Sequence, residues 1–262
     1  MKTHVATPVL FALLLMFSCT KDSLELAKIE SDIVIRMWEK LEPNKRSLIL
    51  YCSTIDYYPL GNYSIAYSLD MNQKNINIGF YGIHVPSGGQ TSVEPAKAMI
   101  DLGSLSKGVY TLRVHVGGIT SIGQIAVSEK CYRIDFDTHN MLQIDNSRLN
   151  RVPDQTIWGY VNYITQDMDN VAHDFLDSLQ ALGAQPGTWL PGDYGYFTIT
   201  PDGQIAPPLM LGTPFSKPFI FHYPGDKNNL VLFMKKFATP HFPYLRIIFY
   251  SSCGIAQGSW YQ

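Results

Sequence analysis

The sequence predicts a mainly β protein in which a β-sandwich is followed by a two-layer α+β domain. Two observations lead to this prediction. Between residues 31 and 137, side chains alternate between two faces in short runs separated by turn residues, which is the pattern of half-buried strands. Beyond residue 154, two segments repeat apolar residues every three or four positions, which is the spacing of an amphipathic helix.

The composition is that of a globular protein. Of the 262 residues, 46% are hydrophobic, which is enough to fill the cores of two domains. The formal net charge is −2 and only 16% of the residues are charged, so no broad basic surface is available. Binding to nucleic acid is therefore disfavoured.

Each predicted strand of the first domain follows a period of two. In the first of them, Ile33, Ile35 and Met37 share one face. About seven such strands at this spacing are typical of a sandwich. The predicted strands cover residues 33–38, 48–52, 63–69, 76–85, 98–102, 109–116, 124–127 and 132–136.

The run 100–114 carries the clearest architectural pattern of this domain. A turn at Gly108 leads into Tyr110, Leu112 and Val114, a strand of the form Tyr-x-Leu-x-Val. This run resembles the end of many immunoglobulin-like bacterial domains. The resemblance implies an immunoglobulin-like β-sandwich with a corner at which the Tyr110 hydroxyl caps a neighbouring backbone carbonyl. It implies nothing about a ligand.

The second domain is predicted over residues 154–262, after a polar segment at 138–153 that holds a linker or a connecting strand. A strand at 156–164 comes first. Thr165 is the predicted N-cap of the helix that follows, and Gly183 suits the position just past its end. The apolar positions of this helix are Val171, Phe175, Leu179 and Leu182.

The remainder of the second domain continues the alternation of strands and helices. Strands are predicted at 194–200, 219–223 and 245–251. A second helix is predicted around residues 230–237, with Asp226 positioned ahead of it. The order strand, helix, strand, strand, helix, strand predicts a ferredoxin-like, split βαβ arrangement, with a looser two-layer α+β domain as the alternative.

The amino terminus has the pattern of an exported, lipid-attached protein. Lys2 precedes an apolar run at 9–17 that is too short to span a bilayer, and Cys19 follows directly behind it. These residues resemble the signal peptide and lipobox of bacterial lipoproteins. The segment Thr20-Lys21-Asp22 resembles a weak form of the surface-export signal of Bacteroidetes-type lipoproteins.

This resemblance implies a processed and anchored chain. Residues 1–18 would be a removed signal peptide, Cys19 the lipidated first residue, and residues 19–30 the lipid anchor and tether. The implied location is the outer membrane or the cell surface, with the membrane as a partner through the lipid on Cys19. The alternative is an ordinary cleaved signal peptide with a chance cysteine.

Three further cysteines leave the disulfide state open. Cys52 and Cys131 lie in predicted strands of one domain, so they are the pair for which we predict a possible disulfide in an oxidising compartment. The alternative is that these residues are buried thiols, packed as small hydrophobic side chains.

No catalytic or cofactor signature is found in the sequence. The nucleophile elbow, the phosphate-binding loops and the zinc motifs are absent, so we predict no enzymatic activity and no cofactor. One oxygen-rich segment, at residues 135–140, could touch a calcium ion, but it lacks the glycine and the distal glutamate of an EF-hand loop. A structural role is favoured for it, and no metal site is predicted.

A weak nucleophilic grouping falls in the second domain. A thiol, two imidazoles and a carboxylate lie in neighbouring predicted elements and would form a possible nucleophilic set. A structural role is favoured here as well, because a cysteine at a strand end is more often structural. The residues are His222, Asp226, His241 and Cys253.

Glycan recognition is the leading hypothesis for a site. Sugars pack apolar C–H faces on flat aromatic rings, while their hydroxyls need amide or carboxylate partners. One predicted loop around Pro191-Gly192 supplies rings and a carboxylate, the carboxyl terminus supplies a second platform, and Tyr57-Tyr58 supplies a third. Packing inside the fold is the alternative for each. The candidate ligand-binding residues are Trp189, Asp193, Tyr194, Tyr196 and Trp260.

The sequence therefore predicts a non-enzymatic, surface-displayed lipoprotein that binds a glycan or an envelope protein partner. In layout the chain resembles small Bacteroidetes-type lipoproteins with an immunoglobulin-like N-terminal domain, a likeness that assigns no functional residues. The first alternative is a structural or assembly component of a surface fibre or envelope complex. The second is a hydrolase of unfamiliar type that uses the region of Cys253.

Overall fold

The computed structural model of the protein describes residues 26–89, 91–206, 213–254 and 256–258. These residues form a mostly β fold with seventeen strands and two α-helices. The prediction of a mainly β protein is confirmed. The predicted signal peptide, Cys19 and Trp260 lie outside the described residues.

Eleven strands belong to one large curled sheet. They are β1 (Leu26–Ala27), β2 (Ile33–Glu42), β3 (Lys45–Tyr58), β4 (Ser64–Asn72), β5 (Asn75–His84), β6 (Glu94–Asp101), β7 (Gly108–Val116), β8 (Ile119–Val127), β9 (Cys131–Phe136), β10 (Leu142–Ile144) and β11 (Arg148–Asn150). They pair in the order β10-β2-β3-β6-β4-β5-β7-β8-β9-β11, and β1 pairs with β5. All eight strands predicted between residues 31 and 137 are present.

The curled sheet encloses a single hydrophobic core. Alternate residues of its long strands point inward, and side chains from both halves of the sheet meet in one cluster. Each fully buried aliphatic side chain stabilises the fold by about 1.5–3 kcal/mol. Fully buried members are Ile33, Ile35, Leu50, Ile78 and Leu112.

The immunoglobulin-like arrangement of this sheet is not confirmed. Immunoglobulin sheets are antiparallel, whereas β5 and β7 pair in parallel from Asn75↔Thr111 to Phe80↔Val116. The tyrosine corner implied by the same resemblance is present. The Tyr110 hydroxyl donates to the Ser106 carbonyl oxygen at 3.0 Å, and Gly108 between them has a φ of +139°.

One short segment completes both ends of the curled sheet. β10 adds in parallel to β2, and β11, three residues further along the chain, adds antiparallel to β9. The polar segment predicted at 138–153 as a linker or connecting strand therefore supplies two strands to the first sheet. Pairing protects the edges of β2 and β9 that these strands cover from association with other chains.

The sheet has a seam between β4 and β6, where its strands separate. These two strands pair only at Ser64↔Lys97 within the described residues, although each is eight or more residues long. The Tyr67 hydroxyl crosses the seam and donates to the Met99 carbonyl oxygen at 3.1 Å. The Lys97 N–H also donates to the Tyr63 carbonyl oxygen at 3.3 Å, and within the described residues no further backbone pairing joins the two strands.

The second sheet has four strands, and a separate two-stranded ribbon lies beside it. The elements of this region are β12 (Thr156–Tyr163), α1 (Asp169–Ala181), β13 (Gly192–Asp193), β14 (Thr198–Ile199), β15 (Phe215–His222), α2 (Lys227–Ala238), β16 (Leu245–Ser251) and β17 (Ala256–Gly258). The sheet order is β15-β12-β16-β17, and β13 pairs with β14.

The ferredoxin-like arrangement of the second sheet is not confirmed. That arrangement takes all four strands of its sheet from two βαβ units, whereas here β13 and β14, which follow α1, form a separate ribbon, and β17 takes the fourth place in the sheet. Both helices pack on one face, where Phe175 of α1 and Leu230 of α2 share a cluster with Ile157 and Phe249. One sheet layer and one helix layer are therefore present.

The predicted helix ends are partly confirmed. Asp226 is the N-cap of α2, and its carboxylate accepts the Asn228 N–H at 2.9 Å. Gly183 follows α1 with a φ of +98°, as expected past a helix end. Thr165 precedes a short 3₁₀ turn and makes no side-chain cap, so α1 begins only at Asp169. Of the strand predicted at 194–200, only the two residues of β14 are in a strand.

A third hydrophobic cluster joins the two sheets. It combines Leu41 of β2, Val152 of the connecting segment and Trp158 of β12 with side chains from residues 194–205. It covers the face of the second sheet opposite to the helices, because Trp158 and its neighbour Tyr250 point away from them.

Candidate functional site

The predicted ligand-binding loop contains a second tyrosine corner. The Tyr194 hydroxyl donates to the Leu190 carbonyl oxygen at 3.1 Å, and Gly192 between them has a φ of +124°. Tyr110 makes the same contact four residues back, also across a glycine with positive φ. Tyr194 is only 2% exposed, and burial raises the pKa of its hydroxyl. Its ring is therefore unavailable to a ligand.

Asp193 is held by contacts within the protein. One carboxylate oxygen accepts the Gly195 N–H at 2.7 Å, and the other accepts the side-chain amide of Asn146 at 3.0 Å. The Arg36 guanidinium lies 3.6 Å from the second oxygen. These contacts fasten the loop to β2 and to the segment between β10 and β11.

Asn146 and the same loop together cover the edge of β2 beyond its pairing with β10. Asn146 makes a two-point contact with Met37, accepting its N–H at 2.7 Å and donating to its carbonyl at 3.2 Å. The Tyr196 hydroxyl accepts the Leu41 N–H at 3.2 Å, and burial raises the pKa of this hydroxyl to about 12. Side chains thus replace a neighbouring strand along this edge.

Aromatic rings connect this loop to both sheets. The Tyr196 ring lies between Trp38 of β2 and Trp158 of β12, with centroid distances of 5.1 and 5.5 Å. Trp189 is half-buried against the third cluster, and its indole nitrogen is buried without a partner in the described part of the chain. Four of the five predicted ligand residues thus have contacts inside the fold. The fifth, Trp260, lies outside the described residues.

An exposed aromatic surface lies instead on the outer face of β3 and β6. Tyr51 is 41% exposed, Tyr57 68% and Met99 57%. Tyr51 pairs with Met99 across the two strands, Tyr57 pairs with Pro95, and directly opposed residues share a face. We call the surface formed by Tyr51, Tyr57 and Met99 the tyrosine face.

Polar groups occupy the middle of the tyrosine face. Ser53 and Lys97 pair with each other between the two tyrosines. The paired positions on β6 are four residues apart, so the rings lie about 13 Å from each other along the strands. The Trp38 ring packs beside Tyr51 at one end of this face, with 5.7 Å between the two ring centroids. This surface thus offers aromatic rings at both ends. Between them lie the Ser53 hydroxyl, the Lys97 ammonium, which is ion-paired with Glu94, and the Ile55 side chain, which is 41% exposed.

The nucleophilic grouping is not brought together around a histidine. His222 lies in β15, where its backbone pairs with Gln185, and the His241 ring packs on Phe237 at 5.5 Å. The Cys253 sulfur lies 3.1 Å from the Ser251 hydroxyl, and the described residues that line the cavity beside it include no histidine.

The three cysteines of the described chain carry thiols, so the disulfide predicted between Cys52 and Cys131 is not formed. Cys52 is buried in the core of the curled sheet, and burial raises the pKa of its thiol to about 12. Cys131 is buried at the start of β9. The alternative of packed thiols thus fits this structure.

The described residues contain neither a metal-binding cluster nor a membrane-spanning helix. No group of three or more potential metal-ligating side chains occurs there, including at residues 135–140. No described helix combines the length and apolar character needed to cross a membrane.

A buried charge cluster that the sequence patterns did not predict lies between the sheets. The Glu39 carboxylate is 0% exposed and accepts hydrogen bonds from Tyr132 and Arg151, each at 2.9 Å, and from the Val152 N–H at 3.3 Å. Arg46 lies 3.5 Å away and also binds Asp154 at 2.5 Å. A signal was present in the sequence, because Glu39 continues the inward-facing series Ile33, Ile35, Met37.

The chain was also compared with known proteins. No protein-family model, curated protein or solved structure matches it. Any functional assignment therefore depends on the geometry of the protein itself.

Proposed function

We propose that the protein is a non-enzymatic binding protein, displayed at the outer membrane or cell surface on a lipidated Cys19, and that it binds a glycan on the tyrosine face. The observation that carries this proposal is the pair of exposed rings, Tyr51 and Tyr57, which lie on β3 on either side of a register shift between Ser53 and Tyr57. Exposed aromatic rings with polar groups between them are typical of sites that bind a partly apolar ligand.

The order of groups along the tyrosine face suits a linear sugar chain. A chain lying along β3 meets the Tyr51 ring, then the Ser53 hydroxyl and the Lys97 ammonium, and then the Tyr57 ring. The rings pack against apolar sugar faces, and the groups between them reach hydroxyls. Both rings are held on paired residues of β3, so little backbone ordering entropy is lost on binding.

The binding assay uses the purified full chain on an array of neutral and acidic polysaccharides. We expect one polysaccharide class to bind, and we expect Tyr51→Ala and Tyr57→Ala each to weaken that binding about tenfold, which corresponds to about 1.4 kcal/mol. Tyr244→Ala is the matched control, because Tyr244 is 50% exposed but lies ahead of β16. Its binding should equal that of the unsubstituted protein.

Two results would reject the glycan proposal. One is the absence of binding across the array. The other is equal binding by Tyr51→Ala, Tyr57→Ala and Tyr244→Ala, since that would place the ligand away from the tyrosine face.

Lipidation is tested separately. We expect mass spectrometry of the membrane-extracted protein to find Cys19 as the acylated amino terminus, and Cys19→Ala to release the protein into the soluble fraction. An unprocessed amino terminus on native protein would reject the anchor and leave the glycan assay unaffected.

Assembly into an envelope complex is the second candidate function, and the seam between β4 and β6 favours it. Two strand edges that are not joined by a ladder can accept an extended segment from another protein. Tyr67 and Met71 on β4 are 41% and 38% exposed, so apolar contacts are available there. Size measurement in mild detergent tests this: a native protein that is monomeric and without a partner would reject it.

A further inference from the structure

We propose that the cavity between the β2–β3 hairpin and the β16 end of the second sheet binds a small sugar acid, with its carboxylate between Lys45 and Lys227. The cavity is about 400 Å³ in volume, within the usual range of small-molecule sites of roughly 300–1,000 Å³. It is lined by the hairpin, by residues 154–155, by the start of α2 and by residues 252–253. It is separate from the tyrosine face, since no residue of that face lines it.

The charge of the cavity favours a single negative charge. Three cations, Lys45, Arg46 and Lys227, and two carboxylates, Glu42 and Asp154, line it, which leaves one net positive charge. One carboxylate would neutralise this charge, whereas a doubly charged phosphate would leave one net negative charge beside Glu42 and Asp154.

The cations differ in whether they already have partners. Arg46 is occupied by Glu39 and Asp154, and Glu42 is paired with Lys40 at 2.8 Å. Neither Lys45 nor Lys227 forms an ion pair within the residues that the structure describes. Their ammonium groups are the available donors for a ligand carboxylate.

A hydroxyl group adds to the polar lining of the cavity. Ser252 lines the cavity, and the residue as a whole is 6% exposed. Its backbone N–H donates to the Thr156 carbonyl oxygen at 2.9 Å, which fixes the residue in place. A hydroxyl both donates and accepts hydrogen bonds, so this group suits a ligand hydroxyl.

Amide side chains extend the polar lining. Asn44 and Gln155 both line the cavity. Gln155 has a φ of +59°, which is uncommon for a residue with a side chain, and a 2.7 Å hydrogen bond from the Tyr223 N–H to its carbonyl holds it there. Amides and a hydroxyl beside a carboxylate site match the hydroxyl groups of a sugar acid.

Isothermal titration of the purified full chain with glucuronate, glucose and inorganic phosphate, at matched ionic strength, tests the proposal. We expect glucuronate to bind at least tenfold more tightly than glucose or phosphate. Lys45→Gln and Lys227→Gln should each weaken glucuronate binding about fivefold to tenfold. Lys235→Gln is the control, because Lys235 lies in the last turn of α2 and does not line the cavity.

Alkylation of Cys253 gives a second readout at the site itself. Cys253 lines the cavity and is partly exposed, so bound glucuronate should slow its alkylation several-fold, as measured on its peptide by mass spectrometry. The Lys45→Gln, Lys227→Gln double variant should lose this protection.

Three outcomes would overturn the inference. They are equal affinity for glucuronate and glucose, affinity for phosphate as tight as for glucuronate, and unchanged binding in both cavity lysine variants. These outcomes do not affect the glycan proposal, because the cavity and the tyrosine face share no residue.

Discussion

The Glu39 carboxylate accepts a 2.9 Å hydrogen bond from the Arg151 side chain, which joins the middle of β2 to the segment that leads into the second sheet. Glu39 is completely removed from water, and the Arg151 side chain is 21% exposed. Arg151 also lies over the Tyr132 ring at 5.0 Å. The two sheets are therefore connected by a polar contact as well as by the third hydrophobic cluster.

Glu39→Ala should lower the free energy of unfolding by about 3–5 kcal/mol. The loss is large because Arg46 and Arg151 would keep their positive charges in a partly buried site without the carboxylate. Denaturant unfolding measures it. Glu42→Ala is the control, since Glu42 pairs with Lys40 at the surface, and it should change stability by less than about 1 kcal/mol. Equal effects of the two substitutions would contradict this account of Glu39.

Tyr194→Phe and Tyr110→Phe should each cost about 1 kcal/mol. Each substitution removes one hydroxyl that donates to a carbonyl four residues back and leaves the ring in place. Tyr57→Phe provides the comparison, because Tyr57 is largely exposed, and thermal unfolding should not distinguish it from the unsubstituted protein. An unchanged Tyr194→Phe variant would remove the structural role that we assign to this corner.

Asn146→Ala should expose the edge of β2. The substitution removes both contacts with the Met37 backbone, so the Met37 amide should exchange its hydrogen faster and stability should fall by about 2 kcal/mol. Hydrogen exchange followed residue by residue measures the effect. Asn72→Ala, at the exposed end of β4, should leave exchange at Met37 unchanged. Slow exchange at Met37 in Asn146→Ala would show that another group protects this edge.

The stability of the protein should fall between about pH 9 and pH 12 in part because of Cys52. Burial raises the pKa of this thiol from 9.0 to about 12, so the folded state holds its proton at a pH where the unfolded state has lost it. The contribution is complete below pH 9 and is lost as pH rises towards 12. Urea unfolding across this range should give a shallower decline for Cys52→Ala.

Alkylation gives a direct check on the same thiol. At pH 8.5 we expect Cys253 to react and Cys52 to remain unmodified in the folded protein, because reaction requires an accessible thiolate. Rapid modification of Cys52 under these conditions would contradict its burial.

Local patterns of the sequence were sufficient to predict the strands and several turns. The alternation in β2 and β7 follows directly from burial of one face, and Asp226 and Gly183 act at helix ends through contacts a few residues away. Tyr110 was predictable for the same reason, since its partner is four residues back.

Pairing between distant strands could not be predicted in this way. The parallel contact of β5 with β7 and the strand order of the second sheet depend on which strands meet after collapse, and alternation within one strand is the same for every partner. The two strands of the segment 142–150 are three residues long, too short to show a period.

The candidate site was misjudged for a related reason. Asp193 and Tyr194 have the residue types of a sugar site, but their partners, Asn146 and Arg36, are distant in sequence. The spacing Gly192-x-Tyr194 repeats Gly108-x-Tyr110, and this repeat was a usable signal that the tyrosine is structural.

Completion of the curled sheet by residues 142–150 has a consequence for synthesis on the ribosome. A nascent chain that has emerged only as far as β9 has two bare strand edges, on β2 and on β9, and neither can be covered until this segment leaves the exit tunnel. The first sheet is therefore exposed to premature association for most of its translation. Expression that stops short of residue 150 should yield aggregates instead of a smaller folded unit.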